Sequence, residues 1–246
     1  MSTVLVLAGG SPHAHDFAAT GRELVWIGEA LGHTVEFAEH PEIAADRLAD
    51  PGDRAPVDAL VVDGLWWRML GDAYDPWRSE HGYSPSADAR RALSGFVESG
   101  GGMVALHTAT ICFDDWPAWG DVVGGSWVWG HSSHPPYGPV TVEVVADHPV
   151  VADVGPTIEL DDEIYGDLEI RPGVEVLVSG RRHPADDPQA VVWIHRFGAG
   201  RVVYDGLGHD VASLRHPRHR RLVGQAISWV VPESQVVLES QVVTER

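Results

Sequence analysis

The segment GGGMVALHTA, residues 100–109, joins a glycine turn, a short apolar strand and a histidine that is followed by small residues. Residues 103–106 are apolar throughout, which is typical of a strand covered on both faces of a parallel sheet. Open α/β sheets bind their ligands at the carboxyl ends of the strands. The segment therefore predicts that His107 lies in a ligand-binding crevice.

Strands and helices alternate on the amino-terminal side of this segment. TVLVLAGG at residues 3–10, HTVEFAEH at residues 33–40 and PVDALVVDG at residues 56–64 indicate strands. Apolar residues at helical spacing, each series ending at glycine, predict helices within residues 17–31 and 86–99. Strands separated by helices require crossover connections, so we expect a parallel sheet with helices on both faces.

The pattern changes beyond residue 123 to short apolar runs bounded by glycine and proline. These runs indicate hairpins and edge strands, and in WIHRFGAGRVVYD at residues 193–205 two strands flank a Gly-Ala-Gly turn. The apolar face of residues 216–231 predicts a closing helix. We expect one domain over residues 1–231 and a tail over residues 232–246, in which ESQVV recurs.

Composition excludes several classes of function. The 246 residues carry 17 basic and 36 acidic side chains, and the formal net charge of −19 disfavours nucleic acid and anionic membranes. The first ten residues have no basic region and too few apolar residues for a signal peptide or membrane span, so a cytoplasmic protein is expected. The single Cys112 excludes a thiolate zinc cluster, which leaves the 14 histidines and the carboxylates as metal ligands.

Two histidines follow apolar strands in the same local pattern. His107 follows MVAL, and His209 follows VVYDGLG. Because the carboxyl ends of parallel strands meet at one crevice, we expect the two imidazoles to share a site. His15 after the first strand, and Asp63 and Trp66 after the third, fall at the same predicted edge.

Ordered motifs across the chain carry a resemblance to a known family. They are HDF (15–17), GGGMVALHTA (100–109), VVGGSWVWGH (122–131), DHPVV (147–151), DDEIY (161–165), FGAGRVVYDGLGHD (197–210) and ISWVV (227–231). In these motifs the sequence resembles the ThuA-like family, named for trehalose utilisation. The resemblance implies a flavodoxin-like, class I glutamine amidotransferase-like three-layer α/β sandwich, with a mainly parallel sheet and added β-hairpins. It also implies a role in sugar metabolism beside oxidoreductases that make 3-keto sugars.

His107 occupies the elbow at which the related amidotransferases present a nucleophilic cysteine. Glutaminase chemistry is therefore not expected, whereas an imidazole at this position can bind a metal or move a proton. We predict His107 and Glu163 as the catalytic residues. Glu163 lies half in an apolar strand beside Ile164 and Tyr165, and Asp162 is the alternative acid.

Histidines together with one carboxylate would provide a zinc site that keeps an open position. The predicted ligands of a divalent metal, with zinc favoured, are His15, His107, His131, Glu163 and His209. His131 belongs to a family motif, whereas His134 does not and is the weaker candidate. His15 has helix capping as its alternative role. Without a metal, His107 and Glu163 would act as an acid–base pair.

Ten tryptophans are many for this length, and packing in the core accounts for most of them. Trp66, Trp67, Trp127 and Trp129 fall in predicted loops near the crevice, where an indole face can cover the C–H face of a sugar. We predict that Trp66, Trp127, Trp129 and Tyr165 bind the substrate.

Two classes of function follow from these residues. The first is a metal-assisted enzyme that acts on a sugar or 3-keto sugar, with hydrolase, isomerase and lyase chemistry left open. The second is a non-catalytic carbohydrate-binding or assembly module on an amidotransferase-like fold. The expected partners are a small sugar and an oxidoreductase, with no nucleic acid or membrane, and a homo-oligomer is left open.

Overall fold

The computed structural model of the protein describes residues 2–13, 15–181, 183 and 185–232. The predicted tail, apart from Pro232, lies outside the described residues. The strands are β1 (Thr3–Gly10), β2 (Thr34–Ala38), β3 (Ala59–Leu65), β4 (Gly102–Leu106), β5 (Gly125–Ser126), β6 (Gly138–Val144), β7 (Thr157–Asp162), β8 (Glu169–Ile170), β9 (Glu175–Gly180), β10 (Gln189–Phe197) and β11 (Gly200–Asp205). The α-helices are α1 (Phe17–Ala30), α2 (Pro41–Ala49), α3 (Asp75–His81), α4 (Ala87–Glu98), α5 (Ala118–Val123), α6 (Val211–Arg215) and α7 (Pro217–Val230).

One sheet within the described residues has the strand order β2-β1-β3-β4-β11-β10-β9-β6-β7. The strands from β2 to β11 in this order are parallel to one another. The strands from β10 to β7 continue the same sheet with antiparallel pairing. The mainly parallel sheet with added hairpins is thus confirmed, and the hairpins extend the central sheet.

Helices cover both faces of the sheet because the apolar side chains of its central strands point alternately to either side. Val4 and Val6 of β1 pack in one cluster with residues of α1 and α7. Leu5 and Leu7 pack in a second cluster with residues of α2, α4 and α5. This arrangement is the three-layer sandwich that the sequence predicts.

The end of β1 comes very close to the end of β3. A Cβ atom on Gly10, whose φ is +105°, would lie 2.3 Å from the carbonyl oxygen of Leu65. The neighbouring amide of Ser11 donates a hydrogen bond to that same oxygen. Glycine is therefore required here, and it lets the chain turn away from the sheet towards His15.

The helix α2 was not predicted from the sequence. It is short, Pro41 occupies its first turn, and the ring of His40 caps it by accepting a hydrogen bond from the amide of Glu42. In the part of the chain that the structure describes, no helix has both the length and the apolar character needed to cross a membrane.

Candidate metal centre

Four side chains from distant parts of the sequence meet at the carboxyl edge of the parallel strands. His15 comes from the loop after β1, His107 directly follows β4, Glu163 directly follows β7, and His209 lies in the loop after β11. One ligand atom from each residue lies within 4.8 Å of those of the others. We call these four residues the histidine–glutamate cluster.

His107 stands on an elbow between β4 and a single 3₁₀ turn. Its φ of 43° lies in the left-handed region, which a non-glycine residue adopts only where its surroundings hold it there. Tyr204 supplies one restraint, since its hydroxyl donates to the backbone oxygen of His107 at 2.8 Å. Thr108 supplies another by donating to the backbone oxygen of Gly64 at 2.6 Å. The elbow therefore fixes the direction of the imidazole.

The hydrogen bonds of His107 also fix which ring nitrogen faces the cluster. Its Nδ1 lies 2.9 Å from the backbone oxygen of Gly206, which can only accept, so Nδ1 carries a proton. Its Nε2 lies 3.1 Å from the hydroxyl of Tyr165 and 3.5 Å from Oε2 of Glu163. In the neutral imidazole, Nε2 therefore presents its lone pair to the cluster, as a metal ligand must.

Glu163 connects the buried part of the cluster to its exposed edge. Its Oε2 lies 3.4 Å from Nδ1 of His209, and its Oε1 lies 3.3 Å from Nδ1 of His134. Burial alone would raise the pKa of Glu163, but the contacts with His107, His134 and His209 hold this pKa far below its ordinary value. Glu163 is therefore ionised, and its two oxygens face different partners.

Several buried nitrogen atoms of the cluster have no hydrogen-bond partner among the described residues. They are both ring nitrogens of His15 and Nδ1 of His209, which lies 3.4 Å from Oε2 of Glu163 without hydrogen-bond geometry. Burial, and then the nearby His107 and His209, lower the pKa of His15 to about 3. His15 is therefore neutral at pH 7, and its buried nitrogens remain unpaired unless a ligand from outside the chain binds them.

These atoms fit a small divalent cation. Three histidines and a carboxylate are ligands that zinc prefers, and ligands about 2.0–2.1 Å from a tetrahedral zinc lie about 3.3–3.4 Å from one another. The distances from Glu163 to His107 and His209, 3.5 and 3.4 Å, are close to that separation. The orphaned nitrogens of His15 and His209 agree with the same reading.

Asp162, the alternative acid, is fully buried and is not one of the four residues of the cluster. Its carboxylate accepts hydrogen bonds from the amides of Glu163 at 2.8 Å and Gly208 at 2.9 Å, and from the hydroxyl of Ser213. The carboxylate thus joins the end of β7 to the loop after β11. Asp162 holds Glu163 and His209 in their mutual positions.

The structure places His131 and His134 differently from the prediction. His131 is exposed and lies outside the histidine–glutamate cluster, whereas His134 contacts Glu163. The turn at residues 128–132, in which the Val128 amide bonds to Ser132, directs the chain so that the later histidine reaches the site. Contact with Glu163 raises the pKa of the half-exposed His134 against the opposing effect of burial.

The predicted aromatic residues fall into two groups. Trp66 is 3% exposed and packs against Phe113 in the core. Trp127 lies 5.3 Å from the ring of Tyr165, and the half-exposed Trp129 stacks on Trp67 at 4.6 Å. Trp127, Trp129 and Trp67 therefore form an aromatic surface that leads from Tyr165 to solvent. Trp66 also lines the cavity between the ends of β1 and β3.

Two further residues, Tyr137 and Cys112, lie near the site. Tyr137 covers His209 with ring centres 4.8 Å apart, and its hydroxyl donates to Asp210. Cys112 is buried beneath the elbow, where its thiol donates to the backbone oxygen of Gly64. Burial raises the pKa of this thiol to about 12, so Cys112 is not a nucleophile.

Comparison with protein families agrees with the fold and with the ordered motifs. Residues 3–230 match the family ThuA, whose description is trehalose utilisation. The chain belongs to the ThuA family. No curated protein matches the sequence.

Solved structures with the same fold include other ThuA-like proteins. One from Parabacteroides merdae ATCC 43184 has 19% identity and a TM-score of 0.71, with 94% of this chain and 90% of that chain covered. One from Bacteroides uniformis ATCC 8492 has 19% identity and a TM-score of 0.69, covering 95% and 93%. A glutamine amidotransferase from Thermotoga maritima has 8% identity and a TM-score of 0.54, covering 94% and 99%. These ThuA-like and amidotransferase-like neighbours confirm the predicted fold class.

Proposed function

We propose that this ThuA family protein is a metal-assisted enzyme that acts on a sugar or 3-keto sugar. In this proposal His15, His107, Glu163 and His209 hold one divalent cation, with zinc favoured. The observation that carries the proposal is the convergence of four ligand atoms within 4.8 Å, combined with buried nitrogens that have no partner in the described chain. The family description, trehalose utilisation, supports a sugar as the substrate.

A cation at the cluster would polarise a carbonyl or hydroxyl oxygen of the sugar. The chain itself supplies the groups that orient the substrate and move protons. Oε1 of Glu163 faces His134, whose side chain is 40% exposed, so a proton can pass between the buried carboxylate and the crevice. His107 is held by Gly206 with its Nε2 towards the cluster, and the hydroxyl of Tyr165 lies 3.1 Å from that nitrogen.

The aromatic surface formed by Trp127, Trp129 and Trp67 would bind the apolar face of a sugar ring beside Tyr165. Trp129 is 49% exposed, which leaves its indole available to a ligand. A small sugar is therefore the proposed partner in solution. An oxidoreductase that forms 3-keto sugars is the proposed partner in metabolism.

Elemental analysis of protein purified without an affinity tag tests the proposal. We expect about one zinc or similar divalent ion per chain, and loss of the ion in His209→Ala. The matched control is His131→Ala, which removes an exposed histidine outside the cluster and should keep the ion. The same control tests the prediction that His131 is a ligand.

The second candidate is a carbohydrate-binding module without a metal, and the exposed aromatic surface favours it. Trehalose binding by protein that holds no metal, with the binding lost in Trp129→Ala and kept in His209→Ala, would support the module. Full binding and turnover of a sugar by metal-free protein would refute the metal-assisted enzyme.

A further inference from the structure

A large cavity adjoins the histidine–glutamate cluster on the side of His15. It has a volume of about 720 Å³ and opens between the ends of β1 and β3, the start of α1, and residues 80–83. His15 belongs to the cluster and also lines the cavity. A molecule in this cavity would therefore lie beside the proposed metal centre. The volume lies within the range of small-molecule pockets, about 300–1,000 Å³.

The walls of this cavity combine aromatic faces with polar groups. Phe17, Phe37 and Tyr83 present rings, and His40 and His81 present imidazoles. His40 contacts Tyr83 with ring centres 4.8 Å apart, and Tyr83 is in turn held by Glu42 through its hydroxyl at 2.8 Å. Aromatic rings can cover the C–H faces of a ligand, and polar groups can donate to or accept from its hydroxyl groups. This combination suits a sugar ring.

The charges around the cavity are unfavourable for an anionic ligand. Asp16, Glu39 and Glu80 line it, and none of its described lining residues is an arginine. The whole sequence contains no lysine. A phosphate group in this cavity would therefore meet three carboxylates, with no arginine or lysine among the described lining residues to neutralise it.

The position where proteins of this architecture usually bind phosphate is occupied by a side chain. Doubly wound folds bind phosphate at the amino terminus of the helix that follows β1. Here Asp16 caps α1, and its Oδ1 accepts a hydrogen bond from the amide of Ala19 at 3.0 Å. The carboxylate of Asp16 thus takes the place that a phosphate oxygen would need.

We propose that this cavity binds an unphosphorylated, uncharged sugar ring of the substrate, so that the enzyme acts on neutral glycosides and excludes sugar phosphates. This inference rests on the proposed function, because it assumes a substrate of two sugar rings, one of which reacts at the histidine–glutamate cluster. The ring that reacts lies at the cluster, and the ring that does not react lies in the cavity.

The first experiment tests the place of binding. Ala18 is an exposed residue of α1 that lines the cavity, and Ala30 is an exposed residue of the same helix outside it. By calorimetry on metal-loaded protein, we expect Ala18→Trp to weaken trehalose binding more than about tenfold by filling the cavity, with Ala30→Trp unchanged within about twofold. Metal content should be the same in both variants. Unchanged trehalose affinity in a folded Ala18→Trp variant would overturn the inference while leaving the proposed function in place.

The second experiment tests the charge of the ligand. We expect trehalose 6-phosphate to bind wild-type protein at least about tenfold more weakly than trehalose. Asp16→Asn keeps the helix cap, because asparagine caps as well as aspartate, and should narrow that difference. Glu29→Gln, an equal change of charge on the exposed face of α1, should not narrow it.

Equal or tighter binding of trehalose 6-phosphate by the wild type would overturn the exclusion of sugar phosphates but not the sugar-processing function. If metal-loaded protein bound neither sugar, the proposed function would fall, and the inference that rests on it would fall too. The metal content is measured on the same samples. It shows whether weak sugar binding results from a cluster that holds no metal.

Discussion

His107 and His219 are both fully buried histidines, yet their surroundings differ in kind. His219 lies inside α7, where its Nε2 is 3.0 Å from Asp205 and its Nδ1 is 2.9 Å from the backbone oxygen of Ser213. Both of its nitrogens are satisfied by groups that are themselves held by the fold. Nε2 of His107 instead lies 3.1 Å from the Tyr165 hydroxyl and 3.5 Å from Glu163, in a cluster where both ring nitrogens of His15 have no partner among the described residues.

This contrast separates a histidine that supports the core from one that serves a site. A hydrogen-bond network in which every polar group has a partner within the protein stabilises the fold and leaves no free group for a ligand to bind. A network that leaves buried nitrogens without partners lowers the free energy of unfolding, and a bound ion would remove this cost. Burial alone does not distinguish the two histidines, whereas the hydrogen-bond partners of their ring nitrogens and of the neighbouring residues do.

The largest expected effect is the loss of the metal from His107→Ala. We expect less than about 0.1 ion per chain, because the removed Nε2 is one of the four proposed ligand atoms. The free energy of unfolding of the metal-free protein should fall by only about 1–2 kcal/mol through the lost bond to Gly206. Elemental analysis and chemical denaturation on the same preparation check both values. Full metal content in the variant would contradict the difference proposed between His107 and His219.

The opposite pattern is expected for His219→Ala. Removal of this imidazole leaves the fully buried Asp205 without its partner, which should lower the free energy of unfolding by about 3–5 kcal/mol. The folded fraction should keep its metal at low temperature. Denaturation curves and metal content measure the two effects, with His131→Ala as the control for loss of a histidine at the surface. Loss of metal from the folded fraction would mean that His219 acts on the site.

An intermediate effect is expected for Asp162→Asn. Oδ1 of Asp162 accepts from the amide of Glu163 and Oδ2 accepts from the amide of Gly208, so an NH₂ group in place of either oxygen breaks one of the two bonds that join the ends of the cluster. Metal affinity should fall by about 10–100-fold, as for other residues that orient ligands. Competition with a chelator measures it. Asp161→Asn, the exposed neighbour, is the matched control, and equal affinities in the two variants would contradict a positioning role.

The smallest expected effect is a change in acid sensitivity. The pKa of His15 is about 3 in the folded protein and 6.5 when unperturbed, so below pH 6.5 the unfolded chain binds a proton that the folded chain does not. Metal-free protein should therefore lose about 1 kcal/mol of stability from this residue between pH 7.5 and 5.5, and progressively more towards pH 3. His15→Asn should remove that loss. Parallel denaturation curves at both pH values check it, and identical slopes in the two proteins would refute it.

His219 should depend on pH in the reverse direction. Burial lowers its pKa, but Asp205 outweighs this effect and raises the pKa above 6.5. Its contribution is therefore complete below pH 6.5 and is lost as the pH rises through the folded value.

The parallel half of the sheet and its histidines could be predicted because both follow from local patterns. Apolar runs ended by glycine mark buried strands, and the ends of parallel strands converge. His15, His107 and His209 were expected at this edge for that reason. Glu163 was predicted from its place at the end of an apolar strand within a family motif, and its contact with His107 required the whole sheet.

The loop residues could not be assigned in the same way. His131 and His134 are three residues apart, and only the turn around Ser132 decides which of them reaches Glu163. The sequence does not separate the buried Trp66, which lines the cavity beside β3, from Trp129 on the surface, because both lie beside other tryptophans. The helix α2 was missed because it has only nine residues and a weak apolar pattern.

The proximity of Glu163 to His107 has a consequence for how the centre fills. Although burial lowers the pKa of His107, contact with Glu163 outweighs burial and raises this pKa, which favours a proton shared by the metal-free pair and brings the charge of the pair closer to zero. Loading a divalent cation would expel that proton, and the buried charge would rise by about one instead of two. A proton on this pair would therefore occupy the place of the proposed ion, and it would reduce the electrostatic cost of the cluster both without and with the ion.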